Sequence, residues 1–245
     1  MTRAALAAFG LLTIAPLPRT KPLGGGWLGH AIAFFPLVGL TLGVLVAASD
    51  ALLRATIPIP AVTAIDLALL AVATGGLHLD GLADAADGLL GASDRESRLA
   101  AMRDSRTGAF GAAAVTLVIL LEYAALSDVS PDGRAAVLIT AAVSSRWAMS
   151  LAVWAFRPAR PDGLGAAFAQ SVTTVDLTVA AATTGLTVAA ISSAAIAAIL
   201  VSTAVALAIG GFARRRVGGL TGDVYGAIGE TAFACVLVAL VARAV

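Results

Sequence analysis

Charge is what this sequence has least of. Only 13% of its 245 residues are Asp, Glu, Lys or Arg, against about 25% in an average soluble domain. That is too little to cover the surface of a soluble protein of this size. A formal net charge of +1 supplies no field to recruit a polyanion, so nucleic-acid binding is excluded along with the soluble enzymes. Disorder is excluded by the 59% hydrophobic content and a mean hydropathy of +0.94. Cysteine is nearly absent. The single Cys235 sits in an apolar run, which rules out a disulfide framework and a Cys-based metal site. What is plentiful is alanine, together with 25 glycines, and small residues let membrane helices approach closely. The chain reads as an integral membrane protein whose first partner is the lipid bilayer.

A spanning helix needs about 20 mainly apolar residues. The expected spans are 32–53, 60–77, 109–126, 135–156, 175–191, 194–212 and 227–245. The run from 175 to 212 is too long for one crossing and is divided at Ser192-Ser193. Residues 1–15 mimic a secretory signal through Arg3 and the apolar stretch after it. No small-residue cleavage site precedes Pro16, so the segment reads instead as a short interfacial or re-entrant helix ended by Pro16-Leu17-Pro18. The fold expected is therefore all-α: a polytopic helical bundle of about seven transmembrane helices, in one domain over 1–245.

Lys and Arg fix the sidedness. With alternating crossings, eleven fall on one side: Arg19, Lys21, Arg95, Arg98, Arg103, Arg106, Arg157, Arg160, Arg214, Arg215 and Arg216. Three fall on the other: Arg54, Arg134 and Arg243. The longer loops should face the cytoplasm, in a bacterial cytoplasmic membrane.

The chemistry should lie where charge is tolerated. Asp80, Asp84 and Asp87 recur at i, i+4 and i+7, on one face of a helix. Three like charges so close repel one another, and a divalent cation removes that cost. Oxygen-only ligands favour Mg²⁺, with Mn²⁺ as a substitute, and Mg²⁺ on carboxylates points to phosphate chemistry. A solvated acidic face is the bland reading, weakened by the leucines around it. Arg103, Ser105 and Arg106 follow in the same loop, suited to phosphate oxygens. So do Arg160 in a Pro/Gly-rich loop and Thr221-Gly222 in a third, where backbone N–H groups can approach an anion. Arg214–Arg216 read as a membrane-surface anchor. Within the spans, Asp66, Glu122, Arg146 and Glu230 are outliers. Arg146 either pairs with Glu122 or Asp66, or reaches a substrate phosphate. Candidate proton acceptors are Asp104, Asp223 and His78, with Asp104 favoured; His78 is also read as a positioning group.

The stretches GGLHLDGLADAADGLLG (75–91), MRDSRTGAFG (102–111) and GGLTGDVYGAIGE (218–230) carry a resemblance. FPLVGLTLG (35–43), RPDGLGAAF (160–168) and LTIAPLP near the start support it. In these, and in order over nearly the whole chain, the sequence resembles the cobalamin synthase family of adenosylcobinamide-GDP ribazoletransferases. The resemblance implies a Mg²⁺-dependent membrane enzyme that joins adenosylcobinamide-GDP to α-ribazole or its 5′-phosphate. It would give adenosylcobalamin or its 5′-phosphate, with GMP released. The ribazole 5′ oxygen is the expected nucleophile, and a homo-oligomer is compatible with the sequence. Two departures stand out: Ile14 where many members carry Arg, and Phe233 where a second acid is expected after Glu230. A CDP-alcohol phosphotransferase is the first competing reading. Its D-G-x-x-A-R pattern starts at Asp80-Gly81 and fails at Asp84-Ala85. A small cation transporter is the second; it predicts broken helices or repeat symmetry at the midplane, whereas the acids here concentrate at the cytoplasmic edge.

Overall fold

The computed structural model describes residues 2–16, 27–192 and 194–242. Arg19, Lys21 and Arg243 of the charge argument lie outside these residues, as do Leu17, Pro18, Ser193 and the end of the last expected span. The described residues form eleven α-helices, and no named β-strand occurs among them. Six helical segments are long and apolar enough to cross a membrane, or seven if one bent pair counts as a span. The protein is a polytopic helical membrane bundle.

The first helix, α1 (Thr2–Leu12), is more than a surface element. Ala4, Ala7, Ala8 and Leu12 are buried, and just beyond it the Ile14 N–H donates to Ala73 O at 2.9 Å. A 3-10 turn, Gly29–Phe34, leads into α2 (Phe35–Leu53), with Pro36 in its first turn where a missing N–H costs nothing. Gly39 and Gly43 of α2 lie against the backbone of α7 (Arg134–Ala155), the most deeply buried helix. That is the small-xxx-small packing the composition foretold.

The second expected span is corrected. Residues 60–77 are not one straight helix: α3 (Ile59–Ala73) stops, and α4 (Leu77–Gly91) leaves at 85° to it. Between them Gly75 and Gly76 have φ of +64° and +70°, backbone that a Cβ would strain. The acidic segment is thereby lifted out of the α3 axis onto a helix of its own. Asp94 then caps α5 (Arg95–Ala101) through Ser97 N. The helix α6 (Ala109–Ser127) has no side-chain cap from its own N-cap residue Gly108.

The loop 157–162 leads into a short helix, α8 (Gly163–Ala169), where a turn alone was expected. The helix α9 (Thr174–Ile191) opens on a Thr173–Asp176 capping box, and Asp176 also holds His30 at 2.9 Å. The split before α10 (Ala195–Val217) falls where the two serines placed it. Two boundaries move. Arg214–Arg216 belong to the last turn of α10, where cations meet the helix dipole. The last helix, α11 (Gly222–Val241), starts five residues before the expected 227, because Thr221 caps it and Gly218 ends α10 at φ +87°.

Candidate functional site

At one end of the bundle the three loops marked in the sequence meet. Leu220 N donates to Arg157 O, and Ala159 N to Leu220 O, both at 2.9 Å. Arg95 fastens the bundle here, donating to Val217 O at 3.0 Å and Ala159 O at 2.7 Å. Arg160 reaches Leu99 O at 2.9 Å. Charged side chains therefore knit α5, the 157–162 loop and the α10–α11 turn into one surface.

The carboxylates are brought to that surface by the crossing of α4 and α11. A Cβ at Gly81 would lie 2.9 Å from Asp223 O, and one at Gly226 would lie 3.3 Å from the Gly81 Cα. The two helices touch backbone to backbone, with no room for a side chain between. This places Asp84 within electrostatic reach of Asp80, Asp87 and Asp223, and Asp223 within reach of Arg160 and Arg103. Asp223 accepts from Thr221 Oγ1 at 3.0 Å. A cleft of about 180 Å³ is lined by Arg160, Thr221, Gly222 and Asp223, three of them residues assigned to substrate from sequence. An open groove of about 630 Å³ runs past Asp80 between α4 and α6.

Asp87 is used differently. Its two oxygens accept from Gly108 N at 2.6 Å and Gly111 N at 2.8 Å, so it caps α6 from another helix. Asp80 and Asp84 make no ion pair or side-chain hydrogen bond among the described residues. They are the carboxylates left free. No group of three acidic or imidazole side chains is closed into a metal cage among the described residues. Mg²⁺ seldom uses such a cage: it keeps several waters and takes one or two carboxylates with substrate phosphate. An oxygen-only pair beside a cleft lined by Arg160 fits that mode.

Asp104 is held by Arg106 at 2.7 Å and by the Arg106 backbone N–H at 3.0 Å. These bonds pull its carboxyl down to about 2, too low for an effective proton acceptor near neutrality. Arg106 is 87% exposed on its side chain, and Ser105 is exposed beside it. Arg103 pairs with Asp162 at 3.0 Å. Burial and the neighbouring Arg103 hold the Arg160 guanidinium below its usual range.

Arg146 lies elsewhere, buried in the bundle with Nη2 3.5 Å from His78 Nδ1. Asp66 is not its partner. Asp66 binds Arg134 at 3.0 Å, so that alternative for Arg146 is closed.

The cobalamin-5-phosphate synthase sequence profile matches residues 4–241. The chain belongs to the cobalamin-5-phosphate synthase family. Curated relatives named adenosylcobinamide-GDP ribazoletransferase include that of Geotalea daltonii, 38% identical over 99% of this chain and 98% of its own. That of Syntrophobacter fumaroxidans is 38% identical over 91% and 92%, and that of Frankia casuarinae 36% over 96% and 93%. No solved structure matches the chain.

In this family member the motif departures have definite places. Ile14 is 61% exposed next to the α3–α4 break, and Phe233 is buried one turn beyond Glu230. Sequence reasoning placed Asp223 among the candidate proton acceptors but missed the helix crossing that carries it to Asp80 and Asp84. The signal was a glycine on each helix, Gly81 and Gly226, whose missing side chains allow the close crossing. It also missed Asp162, for which an isolated loop acid gives no sequence signal.

Proposed function

We propose that this chain joins adenosylcobinamide-GDP to α-ribazole or its 5′-phosphate and releases GMP, at a site facing the cytoplasm from the bacterial cytoplasmic membrane. One observation carries the reading: two unpartnered carboxylates, Asp80 and Asp84, beside Asp223 and a cleft lined by Arg160, in a chain matched end to end by ribazoletransferases. Asp80 and Asp84 would hold Mg²⁺, or Mn²⁺ in its place, which supplies charge neutralisation for a diphosphate. Arg160 and Arg103 orient phosphate oxygens, and Thr221 and Gly222 present the N-terminus of α11 to them.

The nucleophile is not the 5′ oxygen. A product that keeps a 5′-phosphate leaves that position occupied, so a secondary ribose hydroxyl attacks. Its oxygen bonds to the phosphorus bearing cobinamide, the bond to the bridging oxygen breaks, and GMP departs with that oxygen. Asp223 takes the hydroxyl proton. It replaces Asp104, whose oxygens are occupied by Arg106. His78 is a positioning group, sealed from solvent.

The test is GMP release by purified protein supplied with both precursors and Mg²⁺. CMP release from a CDP-alcohol would instead identify a phospholipid enzyme, and no nucleotide release from either would leave a transporter.

A further inference from the structure

A cavity of about 440 Å³ lies between α3, α4, α6, α7 and α11 and opens past the exposed Ala68 of α3 and Leu120 of α6. Most of its wall is apolar, including Leu67, Ala71, Leu120 and Phe233. Set into that wall are His78, Glu122, Arg146 and Glu230, one from each of four helices. The first three are at most 4% exposed.

Their bonding is incomplete. Arg146 Nη1 donates to Ser145 Oγ at 2.8 Å. Among the described residues, Arg146 Nε, Glu122 Oε1 and His78 Nε2 find no partner. A buried polar atom without a partner keeps its full desolvation cost, so the arrangement is poor as a mere brace. An acyl chain filling the space would leave all three unsatisfied. The occupant this wall asks for has an apolar body, an acceptor for Arg146 and a hydroxyl donor for Glu122.

Size and position narrow it further. Small-molecule sites run from about 300 to 1,000 Å³, which admits a nucleoside here and excludes a corrinoid with its amide arms. His78 lines both this cavity and the small cleft that contains Asp80 and Asp223. Leu79 lines both the cavity and the groove past Asp80. The cavity thus shares His78 and Leu79 as walls with the two clefts that contain Asp80.

We infer that this intramembrane cavity is the pocket for the ribazole nucleoside. Its methylated benzimidazole lies among the apolar side chains, its free ring nitrogen accepts from Arg146, and a ribose hydroxyl faces α4. The inference rests on the function proposed above. It assigns the two substrates to different media: the nucleoside to the apolar intramembrane cavity, the diphosphate to the aqueous cleft.

The experiment fills the cavity from α3 without touching a charged residue. Ala71→Phe protein in detergent is compared with wild type by equilibrium dialysis of α-ribazole and by separate KM values for the two substrates. Nucleoside affinity should fall about tenfold or more, with the ribazole KM rising in step and the adenosylcobinamide-GDP KM unchanged. An unchanged ribazole KM, or a rise in the other KM alone, overturns the assignment. So does phospholipid retained in the cavity of a wild type that binds no nucleoside. If Ala71→Phe does not accumulate, Ala68→Leu at the same wall takes its place with the same expected outcome. Wild type that binds α-ribazole but releases no GMP would overturn the proposed reaction and leave the pocket standing.

Discussion

The bundle has a charged cluster near each end, and the two are built to opposite rules. Away from the site, Arg134 is fully buried between Asp50 and Asp66, bonding both, with further bonds to Leu126 O at 2.6 Å and Thr63 at 3.2 Å. Arg54 adds a second cation 3.6 Å from Asp50. Two acids meet two bases, and the charges cancel within the knot. At the site end, Asp84 lies within electrostatic reach of Asp80, Asp87 and Asp223, while nearby arginines such as Arg95 bond backbone carbonyls. One cluster is closed; the other is short of positive charge. A cluster that neutralises itself holds helices together, whereas one left in deficit is ready for a ligand that brings cations.

Substitutions at the two ends should therefore fail in opposite ways. The largest effect is expected for Asp84→Asn, which should abolish GMP release while thermal unfolding in detergent stays level or rises as repulsion is relieved. A fall in unfolding temperature comparable to that of a knot mutant would erase the distinction. Next, Asp223→Asn should lose about 10²–10⁴ in turnover while retaining the GDP substrate. Asp104→Asn should keep most of its rate and leave the acid limb of the pH profile in place. The Asp104 carboxyl sits at about 2, so it is already ionised at every pH above 4 and contributes no titration there. Loss of that limb in Asp104→Asn would return the proton-acceptor role to it.

At the far end the readout reverses. Arg134→Met strands the buried Asp66 carboxylate, leaves Asp50 with Arg54 alone, and should cost about 3–5 kcal/mol, seen as loss of folded protein in a thermal or denaturant series. The smallest change sharpens the contrast within the acidic helix itself. Asp87→Ala removes the α6 cap and should cost about 0.5–2 kcal/mol, a destabilisation that Asp84→Asn must not show. Equal stability of these two variants would mean that Asp87 and Asp84 do the same job.

How much of this was written in the sequence follows from which interactions are local. The spans and the free face of α4 were legible, because hydropathy and a four-residue spacing are properties of neighbouring residues. Asp87 was read as one of three alike, and no local signal separates it: the groups it accepts from, Gly108 N and Gly111 N, are more than twenty residues away. Asp66 was offered to Arg146 for a similar reason, since nothing in either span says which cation it faces. Arg134 looked like a loop charge on the outer side and is instead the first residue of a buried helix. The break at Gly75-Gly76 was the costliest omission. An apolar run passes through it, and hydropathy is blind to the sign of φ.

That break has a bearing on the bilayer. The fifteen residues of α3 rise about 22 Å at about 1.5 Å each, against a hydrocarbon core of about 30 Å. The chain turns aside before it has crossed the full thickness, so the start of α4 lies below the headgroup plane unless the lipid thins to meet it. Acyl-chain length thereby becomes a control on how far water and a polar substrate must descend to reach Asp80. Reconstituted in bilayers of increasing chain length, the protein should turn over more slowly as the mismatch grows. A rate indifferent to thickness would place α4 at the surface.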